Sequence, residues 1–107
     1  MARPVDELEA ILAKTVGIAA VRMPLTAAYL FGSYAEGKPH EYSDIDIALF
    51  SPAAESMPLR EKMNLLTDIE MAVGGEVQLH LFSDKCLTEA RPTNIYGHIL
   101  ATGRRIA

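Results

Sequence analysis

Thiol chemistry is almost missing from this chain of 107 residues: its only cysteine, Cys86, excludes an internal disulfide and leaves nothing that needs an oxidising compartment. Long apolar runs are missing too. No stretch approaches the roughly 20 residues that span a bilayer, and the amino terminus lacks the basic region and apolar block of a signal peptide. A cytoplasmic protein without membrane contact is the expectation. Positive charge is scarce, since 10 Lys and Arg stand against 14 Asp and Glu, for a formal net charge of -4. That balance gives no footprint for a long nucleic-acid backbone, whereas a compact phosphate ligand neutralised by a metal ion tolerates it. Repeats and low-complexity tracts are absent as well. The apolar and charged fractions are those of an ordinary globular protein, so residues 1–107 are expected to form a single domain.

What is present is periodic. Val5, Leu8, Ile11, Leu12, Thr15 and Val16 recur at helical spacing behind Pro4, which predicts a helix of three to four turns ending near Gly17. Residues 18–24 read as a connection, because Pro24 disfavours helix at Met23. LTAAYLF, Leu25 to Phe31, reads as a strand stopped by Gly32, and Tyr34 to Glu36 as the start of a short helix. IDIALF is a second strand. Its alternation sets Ile45, Ile47 and Leu49 on one face, and Asp44, Asp46, Ala48 and Phe50 on the other.

SPAAESMP is a proline-bracketed linker. A helix follows from Leu59 to the Gly74-Gly75 pair, with Leu59, Met63, Leu66, Ile69, Met71 and Val73 as its apolar residues. EVQLHLF is an alternating strand with Val77, Leu79 and Leu81 opposed to Glu76, Gln78, His80 and Phe82. Ser83 caps a turn or helix through Glu89, and Thr93 or Asn94 caps a last helix containing Ile95, Tyr96, Ile99 and Leu100. RRIA is a short strand or a tail. The expected fold class is α+β, a small mixed sheet with helices chiefly on the Ile45 and Val77 face and the acidic face partly open as a cleft.

Two aspartates on one strand face have α-carbons about 6.5 to 7 Å apart and repel unless a cation lies between them. A hard cation such as magnesium, bridging carboxylates to phosphates, resolves that repulsion. Gly32 allows a tight turn and close approach of phosphate oxygens, Ser33 adds a hydroxyl, and a helix starting at Tyr34 would aim its positive end at the same anion. The plain alternative is a solvated edge strand behind an ordinary turn.

YLFGSYAEG followed by SDIDIALF, with ten residues between Ser33 and Asp44, resembles the signature of the DNA polymerase beta superfamily of nucleotidyltransferases. The short length and the ending GHILATGRRIA are similar to the minimal nucleotidyltransferase subgroup, and the resemblance runs from Val5 to Ile106. It implies a polymerase-beta-like fold, Mg2+ on the carboxylates, and ATP or another nucleoside triphosphate as substrate. It further implies transfer of a nucleoside monophosphate, AMP foremost, to a hydroxyl of a protein or small molecule. A small all-helical partner protein in a toxin-antitoxin-type pair is implied too, with a homo-oligomer left open.

On the matching positions, Gly32 and Ser33 take the phosphate-gripping role, and Asp44 and Asp46 are the first two metal-binding, catalytic carboxylates. The position of the third, on the strand after the second helix, holds Gln78, a neutral amide that supplies neither charge nor a proton acceptor. Glu76 is the remaining metal-ligand candidate on that face, about 6.5 Å further along the strand, or else an ordinary charge after a Gly-Gly turn. His80 shares the face as a base or, more plainly, a supporting surface residue. Lys38 is the basic candidate for a phosphate contact within the motif loop, with Arg60, Arg104 and Arg105 outside it. Tyr34 and Tyr42 read as stacking or partner contacts or as loop anchors. Met57, Leu59 and Met63, or Tyr96 and Ile99, are either partner surface or core. The missing charge gives the alternative reading: a catalytically weak or inactive antitoxin or interaction protein on a nucleotidyltransferase fold.

Overall fold

The computed structural model describes residues 5–37, 44–74 and 76–107; Lys38 and Tyr42 lie outside them. Its elements are α1 (Val5–Arg22), β1 (Ala27–Phe31), β2 (Ile45–Phe50), α2 (Leu59–Val73), β3 (Val77–Phe82), α3 (Ile95–Thr102) and β4 (Arg104–Arg105). Short 3-10 turns at Pro52–Glu55 and Asp84–Leu87 follow β2 and β3. The four strands lie in the order β3-β2-β1-β4. β1 runs antiparallel to β2 and to β4, whereas β2 and β3 are parallel, which requires the α2 crossover between them.

Alternation along the strands builds two cores. On one face, Ile45, Ile47, Leu49, Val77, Leu79 and Leu81 pack with Leu12 and Ala19 of α1 and with Leu65, Leu66 and Ile69 of α2. On the other, Ala48 and Phe50 pack with Ile99 of α3, and Phe82 and Tyr96 flank them with ring centroids 5.3 Å apart. The mixed α+β sheet with its main helical layer on one face is as expected. The acidic face is half covered, because α3 sits over its Ala48 and Phe50 end. The Asp46 end stays accessible.

Local expectations were corrected in three places. α1 does not stop near Gly17 but continues to Arg22, because burial of Ala19 and Met23 outweighs the roughly 1 kcal/mol that one helical glycine costs. Pro24 ends it only after Met23 N–H donates to the Ala19 carbonyl. Tyr34 to Glu36 form no helix; residues 32–37 make one turn, closed by Glu36 N–H on the Gly32 carbonyl at 3.0 Å. On α2, Leu59, Met63 and Met71 are 72%, 55% and 74% exposed, and the buried stripe is Leu65, Leu66, Ile69 and Val73. Helical spacing gives a stripe its period, but neighbours decide which stripe faces the sheet.

Caps follow the sequence closely. Asn94 caps α3 by accepting from Gly97 N–H, and Ser83 Oγ accepts from Lys85 N–H. The residues read as a linker after β2 start a 3-10 turn on buried Ser51. Within RRIA, Arg104–Arg105 form the edge strand β4, and Arg104 pairs with Glu9 of α1 at 2.7 Å. No described helix is long and apolar enough to cross a membrane.

Candidate functional site

Register brings the site together around Asp46 on the central strand. Phe31, the last residue of β1, pairs across the sheet with Asp46, so the chain turns at Gly32 directly beside that carboxylate. Gly32 has φ +78, and a β-carbon there would lie 2.6 Å from Asp46 Oδ2. Only glycine combines that backbone with that clearance. Ser33 is half-buried in the same turn.

On its other side Asp46 pairs with Gln78 of β3, and the next residue on that face, His80, leans back toward it. His80 Nε2 lies 3.5 Å from Asp46 Oδ1, and the two side chains keep 33% and 24% of their exposure. The Phe31 ring meets the His80 ring edge-on at a centroid distance of 5.1 Å, which limits how the imidazole can turn.

Asp44 is exposed immediately before β2. With Gln78, Glu70 and Met63 it borders a recess of about 370 Å³ between α2 and β3. Glu70 was not legible as a site residue in the sequence, since its partner is a backbone group across a crossover: its carboxylate accepts the Leu79 N–H at 2.8 Å. Glu76 is exposed just before β3, with its carbonyl accepting from Ile45 N–H at 3.4 Å. Gly32, Asp46, Gln78 and His80 are thus brought together, while Arg104 and Arg105 lie on β4, at the opposite edge of the sheet from β3. Lys38 is outside the described residues.

A mixed four-stranded sheet with a Gly-Ser turn laid over an aspartate of its central strand is the architecture of a small nucleotidyltransferase domain. The pattern of the family Polymerase beta, Nucleotidyltransferase matches residues 13–107, and the chain belongs to that family. No curated protein matches it by sequence. Among solved structures, it is similar to a toxin-antitoxin protein crystallised with AMP-PNP, at 25% identity and a TM-score of 0.62, over 92% of this chain and 72% of that one. A chain from Sulfolobus solfataricus described as a nucleotidyltransferase is also 25% identical, with a TM-score of 0.60 over 83% of this chain and 84% of that one. One described as a minimal nucleotidyltransferase shares the fold at 22% identity and a TM-score of 0.60, covering 94% of both chains.

Magnesium is the metal expected from the resemblance, on three carboxylates. The described residues do not fit that set, because no group of three or more His, Cys, Asp or Glu among them is placed to hold one metal ion. Asp46 has an amide across the ladder and an imidazole beside it.

Proposed function

We propose that this chain is a nucleotide-binding member of a toxin-antitoxin-type protein pair whose own nucleotidyl transfer is weak or absent. The observation that carries the reading is the pairing of Asp46 with Gln78. Transfer requires a hydroxyl oxygen to bond to the α-phosphorus while the bond to pyrophosphate breaks and the hydroxyl proton leaves. A neutral amide at Gln78 neither takes that proton nor balances charge at the attacking oxygen. The turn at Gly32 still offers backbone N–H groups and the Ser33 hydroxyl to phosphate oxygens, so binding does not depend on the missing acid. Support for a nucleoside triphosphate and a protein partner comes from the similar toxin-antitoxin protein with AMP-PNP. Exposed Leu59 and Met63 on α2 supply apolar surface beside the recess.

The main competing reading is an active enzyme that moves AMP from ATP to a hydroxyl, with Glu76 or a partner residue completing the site. Incubating the chain with its co-purifying protein and labelled ATP, then following added AMP by mass, separates the two. Partner and ATP binding with little label, raised by Gln78→Asp, is the expected result. Rapid labelling by the unaltered chain, abolished by Asp44→Asn, would refute the weak-transfer reading.

A further inference from the structure

The cleft has two sides, and the Gly32 turn takes one of them. Phe31, Asp46 and Gln78 stand in register across three strands, each strand about 4.8 Å from the next. The turn therefore flanks Asp46 on the β1 side, and Gln78 flanks it on the β3 side. Displacement at phosphorus runs in line: the hydroxyl oxygen bonds to the α-phosphorus from the side opposite the departing pyrophosphate, and its proton passes to water. With the pyrophosphate end at the Gly32 turn, a hydroxyl-bearing partner arrives from the β3 side, where the recess between α2 and β3 opens beside Gln78. That direction is the same whether transfer is fast or slow.

We infer that this recess, with the adjoining exposed stripe of α2, docks a segment of the protein partner that carries apolar side chains and at least one Lys or Arg; the inference rests on the proposed reading of the chain as a nucleotide-binding member of a protein pair. Leu66, Val77 and Leu79 line the recess together with Met63. Met63 is 55% exposed, and Leu59, one turn earlier on the same helix face, is 72% exposed. The charged groups in the lining are the carboxylates of Asp44 and Glu70. Among the described residues neither forms an ion pair, and Arg60 and Lys62 of α2 are not part of the lining. Glu70 is already oriented, since its Oε2 accepts the Leu79 N–H at 2.8 Å. Covering two carboxylates with an apolar or acidic segment leaves their desolvation uncompensated, whereas a guanidinium or ammonium group offsets it. Val21 and Met71 are 85% and 74% exposed but do not line the recess, which makes them internal controls.

The co-purifying protein is identified by mass and purified, and its affinity for this chain is measured by calorimetry without ATP, so docking is tested apart from transfer. Leu59→Asp and Met63→Glu should each weaken binding by about tenfold or more, and Val21→Asp and Met71→Glu by less than about twofold. Glu70→Gln keeps an acceptor for the Leu79 N–H but removes the charge, and should also weaken binding. A photo-reactive benzophenone side chain at position 63 should capture a partner segment that contains Lys or Arg. Should Leu59→Asp fail to fold, Leu59→Ser decides. Binding that is indifferent to positions 59 and 63, lost instead at 21 or 71, or tightened by Glu70→Gln would overturn the inference and leave the proposed pairing intact. Rapid labelling of a partner docked as expected would refute weak transfer and leave the docking surface standing. Absence of any purified protein that binds the unaltered chain would overturn both.

Discussion

At residue 32 the backbone and the site make one demand. Gly32→Ala sets a β-carbon against Asp46 Oδ2 at 2.6 Å and forces a side-chain-bearing residue to φ +78, at a cost of about 1 to 3 kcal/mol. The carboxylate is the softer partner, so it rotates and loses its place beside His80. Urea unfolding of Gly32→Ala, Asp46→Ala and the double variant should therefore be non-additive, the second change costing less once the first is made. Strictly additive losses would mean that the turn and the carboxylate do not press on each other. Gly32, Ser33, Asp44 and Asp46 were legible as candidates because turn chemistry and strand alternation are local. The contact between Asp46 and His80 was not, since 34 residues separate the pair and no local period connects them.

One side chain ties the start of α3 to the segment before it. Asn94 Oδ1 accepts from Gly97 N–H at 2.9 Å and Arg91 N–H at 3.1 Å, while its Nδ2 donates to the Glu89 carbonyl at 2.8 Å. Asn94→Ala should cost about 1 to 2 kcal/mol in urea unfolding and loosen the helix over Phe50 and Phe82. An unchanged midpoint would show that apolar packing alone fixes α3. At β3, Glu70→Ala should speed hydrogen exchange at the Leu79 amide selectively, because it removes the acceptor of an edge-strand N–H. Exchange rising equally along β3 would instead indicate general loosening of the strand. Element types and most ends were legible from period and caps. The extension of α1 past Gly17 and the rotation of α2 away from Leu59 and Met63 were not, because both depend on which surface the sheet presents.

Across the whole molecule, the connections leaving β2 and β3 are tied by Lys85 Nζ to Glu55 Oε1 at 2.8 Å, with Ser83 Oγ donating to Glu55 Oε2 at 3.3 Å. The hydrogen bond from Lys85 holds the Glu55 carboxyl below its ordinary range, and the same bond holds Lys85 above its own. For Glu55 the folded value is depressed, so its stabilisation is present above the unfolded value and is lost as pH falls through the folded one. For Lys85 the value is raised, so its share is complete below the unfolded value and is lost as pH rises through the folded one. Both groups are exposed, which keeps the effect small and sensitive to salt. Thermal melts of Glu55→Gln should fall slightly below the unaltered chain at neutral pH, with the gap closing as acid protonates Glu55. A gap that persists at acid pH would assign the loss to packing.

The chemistry of the parts was determined by the sequence: an acidic pair entering a strand, a glycine turn before it, and an amide where a third acid was expected. Local spacing also carried the strands, because a two-residue period separates Ile45, Ile47 and Leu49 from Asp46 and Ala48 without reference to anything distant. Only the tertiary structure decided which parts meet. Parallel pairing of β2 with β3 sets Gln78 across from Asp46, and antiparallel pairing with β1 swings Gly32 over the same carboxylate. Docking of α3 closes one end of the acidic face and leaves the other accessible. Those outcomes depend on strand order and on burial summed over the whole core, quantities that no window of neighbouring residues contains.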